Sequence, residues 1–386
     1  MDRKRKTQII KDLNSKIVFL TGPRQVGKTW LAKEIAKEFT NSVYLNYDSR
    51  GDREIIEKEA WLTSTDLLIF DEIHKMPDWK TYIKGVFDTK PEKLKILVTG
   101  SARLEYFRQT GDSLSGRFFT HRLYPLSLGE LSVSIPDTVS INKVPGVEYN
   151  LDRLINRGGF PEPFLAYEDD FAQRWRKQYI DGLIREDILD FEKITDFKSI
   201  RLCLELLRSR VGSPVSFSSI AGDIGIAPNT VKKYIQIFEE LYIIFKVTPF
   251  VGNIARSILK EPKIYFFDTA LVDGDDGIRF ENHTALALAK EAAAQEDLKG
   301  ASSALHYIRT KDGKEVDFCF VCNGKAQFLM ETKLSDSNIN KNFYHFCDQY
   351  KIPGIQLVKN LRRERQDGLL TPIEVRSADS WLKELE

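Results

Sequence analysis

Residues 17–31 read IVFLTGPRQVGKTWL, an apolar run, a glycine-spaced turn ending in lysine and threonine, and a second apolar run. Gly22, Gly27, Lys28 and Thr29 complete the pattern G-x-x-x-x-G-K-[ST], and the flanks supply the setting that the pattern requires. KIVFL before the loop is short and β-rich. TWLAKEIAKEF after it puts Leu31, Ile35 and Phe39 at four-residue intervals on one helical face. Strand, glycine loop and helix in that order turn backbone N–H groups toward a phosphate and aim the positive helix end at it. The loop positions Gly22, Pro23, Arg24, Gln25, Val26 and Gly27 are therefore candidate nucleotide contacts. Lys28 would reach the β- and γ-phosphates, and Thr29 would ligate Mg²⁺. ATP and Mg²⁺ are the expected cofactors.

A second signal is TDLLIFDEIHKMP. Leu67–Phe70 form a continuous apolar run that ends in Asp71 and Glu72, and the C-terminal end of such a strand is where open parallel sheets bind ligands. Asp71 would support the metal shell, and Glu72 would orient or deprotonate the attacking water. A third strand, KLKILVTGSARL, ends in Thr99 and Ser101, either of which could sense a γ-phosphate or cap a helix. With NSVYLNYDS as a further strand and helical stretches near 52–60 and 78–88, the order is β-α-β-α-β. That alternation predicts a parallel sheet covered on both faces.

The whole chain has 386 residues, enough for two or three domains, and a net charge of +1. No general field recruits nucleic acid, so any such surface must be a local patch. The basic start MDRKRKTQIIKDLNSK lacks the apolar core of a secretory signal, and no run approaches the roughly 18 apolar residues that span a bilayer. Four cysteines in so long a chain fit a reducing compartment. Cys319 and Cys322 have C-x-x-C spacing, but in a strand they point to opposite faces, which reads as ordinary strand cysteines. A cytoplasmic protein without a membrane partner is expected.

LTGPRQVGKTWL, LLIFDEIHKMPDW, ILVTGSARL and SLSGRFFTHRLYPLSLGEL, followed by GGFPEPF (158–164), the 216–250 segment, PKIYFFDTAL (262–271) and EVDFCFV…METKLSD, resemble the prokaryotic AAA-type ATPases that carry a C-terminal domain of unknown function 4143. The resemblance runs from about residue 16 to 336, and the order of the motifs is its specific part. It implies ATP binding and, by fold analogy, a C-terminal domain like the restriction endonucleases. Glu72 beside Asp71 argues against a small-metabolite kinase, which needs no residue to activate water. Arg117 in SLSGR and Arg122 are candidates for an arginine that stabilises transition-state charge, in a chain that could work as a homo-oligomer.

The expected fold is α/β. A P-loop NTPase parallel sheet of AAA type (1–150) would be followed by a helical lid or linker (151–200), a winged helix (201–255) and a restriction-endonuclease-like α/β domain (256–386). In the lid, Trp175, Tyr179 and Leu183 form one stripe, with Arg174, Arg176 and Lys177 largely off it on a solvated face. In the winged helix, Ser216 or Ser218 can cap a short helix, GDIGI makes the turn, and Pro228 suits the first turn of the next helix. Asn229, Thr230, Lys232 and Lys233 on that helix offer a thin set of DNA contacts.

Toward the C-terminus, Glu331 and Lys333 share one face of a predicted strand, and Asp317 lies on the strand before it. Asp plus Glu-x-Lys is the metal set of the nuclease-like fold. Asp317 and Glu331 would hold Mg²⁺ while Lys333 orients water, with Glu281 opening the preceding helix as a fourth member. A strict two-residue turn at Asn323–Gly324 would put the two acids on opposite faces. A longer loop or one bulge would pair them. The apolar pattern favours pairing, with Val316, Phe318, Phe320, Phe328 and Met330 sharing the buried face.

Overall fold

The structure, a computed structural model, describes residues 3–100, 114–133, 148–187, 196–250, 261–310, 313–336, 338–368 and 370–386. The chain forms two compact units, residues 1–124 and 125–386. The first begins with helix α1 (Lys6–Asp12) and strand β1 (Ile17–Thr21), the run quoted at the outset. There follow α2 (Lys28–Ala36), β2 (Ser42–Asn46), α3 (Arg50–Glu57), β3 (Leu67–Asp71), α4 (Trp79–Thr89), β4 (Lys95–Thr99) and β5 (Phe118–Arg122). The five strands are parallel, in the order β2-β3-β4-β1-β5. The apolar runs of β1 and β3 are buried throughout, as strands covered on both faces must be. Phe19, Phe70, Ile96 and Val98 pack with Trp79, Ile83 and Val86 of α4 in one core.

The second unit opens with α5 (Leu128–Val133), α6 (Leu151–Arg157), α7 (Pro161–Leu165) and α8 (Asp169–Gly182). Trp175 and Tyr179 of α8 stack at 4.9 Å between ring centroids, and Leu183 is buried after them, so the expected stripe forms. The face opposite it is not simply solvated. Arg176 makes an ion pair of 2.9 Å with Asp268, whose side chain is almost wholly buried.

Helices α9 (Phe197–Arg208), α10 (Phe217–Ile224) and α11 (Pro228–Glu240) come next. Gly225 closes α10 in the left-handed conformation, and Pro228 opens α11, each where its backbone preference belongs. Strands β6 (Ile244–Pro249) and β7 (Lys263–Phe266) pair antiparallel, and Pro214 bridges to Lys263. Three helices followed by this antiparallel strand pair occupy the span expected as a winged helix.

This module is not set apart. Strand β6 also pairs with β8 (Ser303–Arg309), which follows the long helix α12 (Asp276–Lys299). The sheet continues through β9 (Glu315–Cys322), β10 (Lys325–Ser335), β11 (Gly354–Asn360), β12 (Arg365–Asp367) and β13 (Ile373–Ser377), with α13 (Lys341–Tyr350) before β11 and α14 (Ala378–Glu384) after β13. Its eight strands are mixed, in the order β12-β13-β11-β10-β9-β8-β6-β7. One sheet carries hydrogen bonding across residue 255, and the two compact units divide the chain at 124/125.

Candidate nucleotide site

The loop after β1 has the backbone that a phosphate cradle needs. Gly22 (φ 135°), Gln25 (φ 58°) and Gly27 (φ 99°) all lie at positive φ. A Cβ on Gly22 would collide with the carbonyl oxygen of Leu123, so only glycine fits there. Gly27 is the N-cap of α2 and no side chain caps that helix, leaving its first amides facing the loop. The Lys28 side chain folds back over the loop, its ammonium donating to the carbonyls of Gly22 (2.9 Å) and Pro23. Burial pushes this ammonium down to about 8, against the opposing pull of Glu72 and Asp71.

Parallel register brings the acids to the same edge. Asp71 ends β3 beside Thr99 of β4, and Leu20 of β1 flanks Thr99 on its other side. The Thr29 hydroxyl donates to Asp71 Oδ2 at 3.2 Å. Two further hydroxyls reach the same carboxylate: Tyr44 donates to Oδ2 and Thr99 to Oδ1. Thr99, expected as a phosphate sensor or a cap, holds Asp71. Glu72 follows at φ 56°, a strained value for a non-glycine residue, and its N–H donates to the Thr99 carbonyl at 3.0 Å. Its Oε2 lies 3.5 Å from Lys75 Nζ and 3.6 Å from His74 Nε2. Burial raises the carboxyl above the ordinary glutamate range, with Lys75 opposing.

The two arginines separate. Arg122 sits opposite Thr21 in register, at the loop's edge of the sheet. Arg117 precedes Phe118, which pairs with Ile17 at the other end of β1, and it forks onto Asp88 at 2.8 and 3.1 Å. The expectation that Arg117 serves this chain's own phosphate site is thus corrected. A parallel strand runs its first residues away from the loop. Ser101 lies outside the described residues. Tyr44 was missed by sequence reasoning, because nothing in SVYLN marks its hydroxyl as different from that of a strand tyrosine.

In the second unit the β9–β10 turn has two residues, with Asn323 at φ 49° and Gly324 at φ 74°, the conformation of a type I′ turn. A register shift between Ala326 and Phe328 then sets Phe320 against Phe328 and Phe318 against Met330. Asp317 and Glu331 come next on the two strands, on one face, as the apolar pattern predicts. That face is itself buried, because Leu329 and Cys319 pack with Phe343 and Phe346 of α13.

The acids are nevertheless engaged separately. Asp317 accepts from the N–H and hydroxyl of Thr332 at 2.9 and 3.0 Å. Glu331 stands 3.4 Å from Lys333. Glu281, in the second turn of α12 rather than at its start, accepts from the Tyr265 hydroxyl at 2.6 Å and lies 3.4 Å from Lys263. Lys263 is buried and also bonds Glu315 at 2.6 Å. Among the described residues no three or more His, Cys, Asp or Glu side chains gather in a metal-binding group. Of the expected metal set of Asp317, Glu331, Lys333 and Glu281, Lys333 stands beside Glu331 and the Lys263 ammonium beside Glu281. On α11, Asn229, Lys232 and Lys233 are exposed.

Residues 14–132 match the profile of a family described as an AAA domain. Residues 148–275 match one described as a domain of unknown function, DUF8612, in place of the domain 4143 that the sequence suggested. The uncharacterized protein Rv2008c of Mycobacterium tuberculosis is 24% identical over 333 residues, covering 84% of this chain and 72% of its own. MJ1544 of Methanocaldococcus jannaschii is 24% identical over 354 residues, with coverages of 85% and 77%. Among solved structures, the Walker-type ATPase paby2304 of Pyrococcus abyssi is 15% identical at a TM-score of 0.45, covering 70% of this chain and 94% of that one. The AAA-domain match and the five-stranded parallel sheet give the first unit an AAA-type P-loop fold. Among the described residues no helix is long and apolar enough to cross a membrane.

Proposed function

We propose that this chain is a cytoplasmic, Mg²⁺-dependent ATPase whose second unit passes on the nucleotide state by binding a partner. The observation that carries the reading is the Thr29 hydroxyl donating to Asp71, which joins the phosphate loop to the end of β3. A donated proton leaves the Thr29 oxygen lone pairs free for a cation. The loop amides and the N-terminus of α2 would hold the phosphates, and Lys28 would exchange its two loop carbonyls for phosphate oxygens. Glu72 would orient or deprotonate water, and Arg122 or an arginine of a second copy would offset developing charge. Thr29, with Asp71 behind it, would hold the Mg²⁺, whose charge would offset that of the phosphates.

For the second unit, binding is favoured over cleavage. Lys263 bonds Glu315 and stands 3.4 Å from Glu281, and Asp317 accepts from the Thr332 amide. DNA meeting Asn229, Lys232 and Lys233 is the partner class that a winged helix over 201–255 favours. Wild type, Glu72→Gln and Lys333→Ala are compared for ATP turnover, DNA binding by anisotropy with and without ATP, and cleavage in Mg²⁺ or Mn²⁺. The proposal expects turnover lost in Glu72→Gln and nucleotide-dependent DNA binding without cleavage. Absence of turnover in wild type would refute the ATPase, and cleavage lost in Lys333→Ala would restore the nuclease reading.

A further inference from the structure

Asp71 accepts three hydroxyl donors from three separate elements: Thr29 at the start of α2, Tyr44 of β2 and Thr99 of β4. A carboxylate offers about four lone-pair positions, so these donors leave it little freedom to turn. Register explains how Tyr44 arrives. Asn46 pairs with Asp71, and Tyr44, two residues earlier on the same face, reaches along the strand to the carboxylate. Lys33 of α2 lies over the Tyr44 ring at 5.1 Å from its centroid, fixing the ring between helix and sheet.

We propose that Tyr44 is a positioning residue of the metal site: its hydroxyl holds Asp71 in the orientation that presents Thr29 to the divalent cation of a bound nucleotide. The proposal rests on the ATP-binding reading above and extends it to a residue outside the loop and the β3 acids. With the hydroxyl removed, Oδ2 of Asp71 keeps Thr29 alone and can rotate. Groups that orient metal ligands from behind typically change metal affinity 10- to 100-fold, and the low end, about tenfold, is expected here.

The test titrates a fluorescent ATP analogue (mant-ATP) into wild type and Tyr44→Phe, first in EDTA and then over a MgCl₂ series. Thermal melts check that both proteins fold. Tyr44→Phe should bind the analogue like wild type in EDTA but need about tenfold more Mg²⁺ for half-maximal tightening. Thr99→Val removes the donor on the other oxygen, independently of the Tyr44 ring, and should also raise the Mg²⁺ requirement. An unchanged Mg²⁺ requirement in both variants would overturn the proposal while leaving the ATP site intact. So would equal weakening of Tyr44→Phe in EDTA and in Mg²⁺, which marks a merely structural residue. Wild type that binds no nucleotide under any condition would instead overturn the ATP reading itself.

Discussion

Gly158 lies so close to Asp268 that a Cβ placed on it would collide with Oδ1 of that carboxylate. Gly158 has φ 69°, and Asp268 is held by Arg176 Nε at 2.9 Å and the Ala270 N–H at 3.1 Å. Arg176 also donates to the carbonyl of Arg157, next to the glycine, at 2.6 Å. GGFPEPF and FFDTAL are thus two halves of one buried clasp. Gly158→Ala adds left-handed strain to displacement of a buried ion pair and should destabilise the second unit by about 2–4 kcal/mol. Urea denaturation followed by far-UV circular dichroism measures it.

Lys28→Ala and Glu72→Gln should separate binding from chemistry. The first removes the ammonium that sits in the loop and should abolish ATP binding in fluorescence titrations. The second preserves the shape of the side chain and should keep binding, while turnover falls by about 10²- to 10⁴-fold. Loss of ATP binding in both would place Glu72 in the ground-state site instead.

Lys290 on α12 forms an ion pair with Glu130 and donates to Ser127 Oγ at 3.2 Å, both charged residues being buried. Glu130 in turn accepts from the Ser127 N–H at 3.1 Å, a capping box at the head of α5. Lys290→Met leaves a buried carboxylate uncompensated and should lose about 3–5 kcal/mol. Adding Glu130→Gln neutralises that charge and should recover part of the loss, so the urea midpoint of the double variant should exceed that of Lys290→Met.

Glu281 and His283 give opposing pH dependences. Burial and the Asp317 charge raise Glu281 from 4.5 to about 7, and burial lowers His283 from 6.5 to about 4. At Glu281 the folded state holds more protons than the unfolded, so its contribution to stability falls as pH rises from about 4.5 through 7. At His283 the folded state holds fewer, so its contribution is lost as pH falls from about 6.5 through 4. Glu281→Gln should therefore steepen the gain in stability between pH 4 and 6.5, and His283→Gln should leave a net decline toward pH 7. Denaturation midpoints across that range test both signs.

Much of the candidate nucleotide site was legible because its parts are local. The glycine spacing, the helix stripe after it and the acids ending an apolar run each report on a few consecutive residues. The bulged β9–β10 register was legible as well, since only one register keeps Phe318, Phe320, Phe328 and Met330 on one face. Arg117 misled because a motif places a residue in sequence without saying at which end of a parallel strand it lies. Arg176 misled because helical periodicity reports the apolar stripe but not a partner 92 residues away.

By itself the sequence determined the phosphate loop, the parallel α/β alternation and the hairpin register, all fixed by backbone preference and the period of apolar residues. Only the tertiary structure decided that Tyr44 and Thr99 grip Asp71, that Lys263 lies between Glu281 and Glu315, and that strands β6 and β7 belong to an eight-stranded sheet. Those outcomes depend on which distant strands become neighbours. Hydrogen bonds and charges act over a few ångströms, and residues remote in the chain come that close only once the sheet has formed.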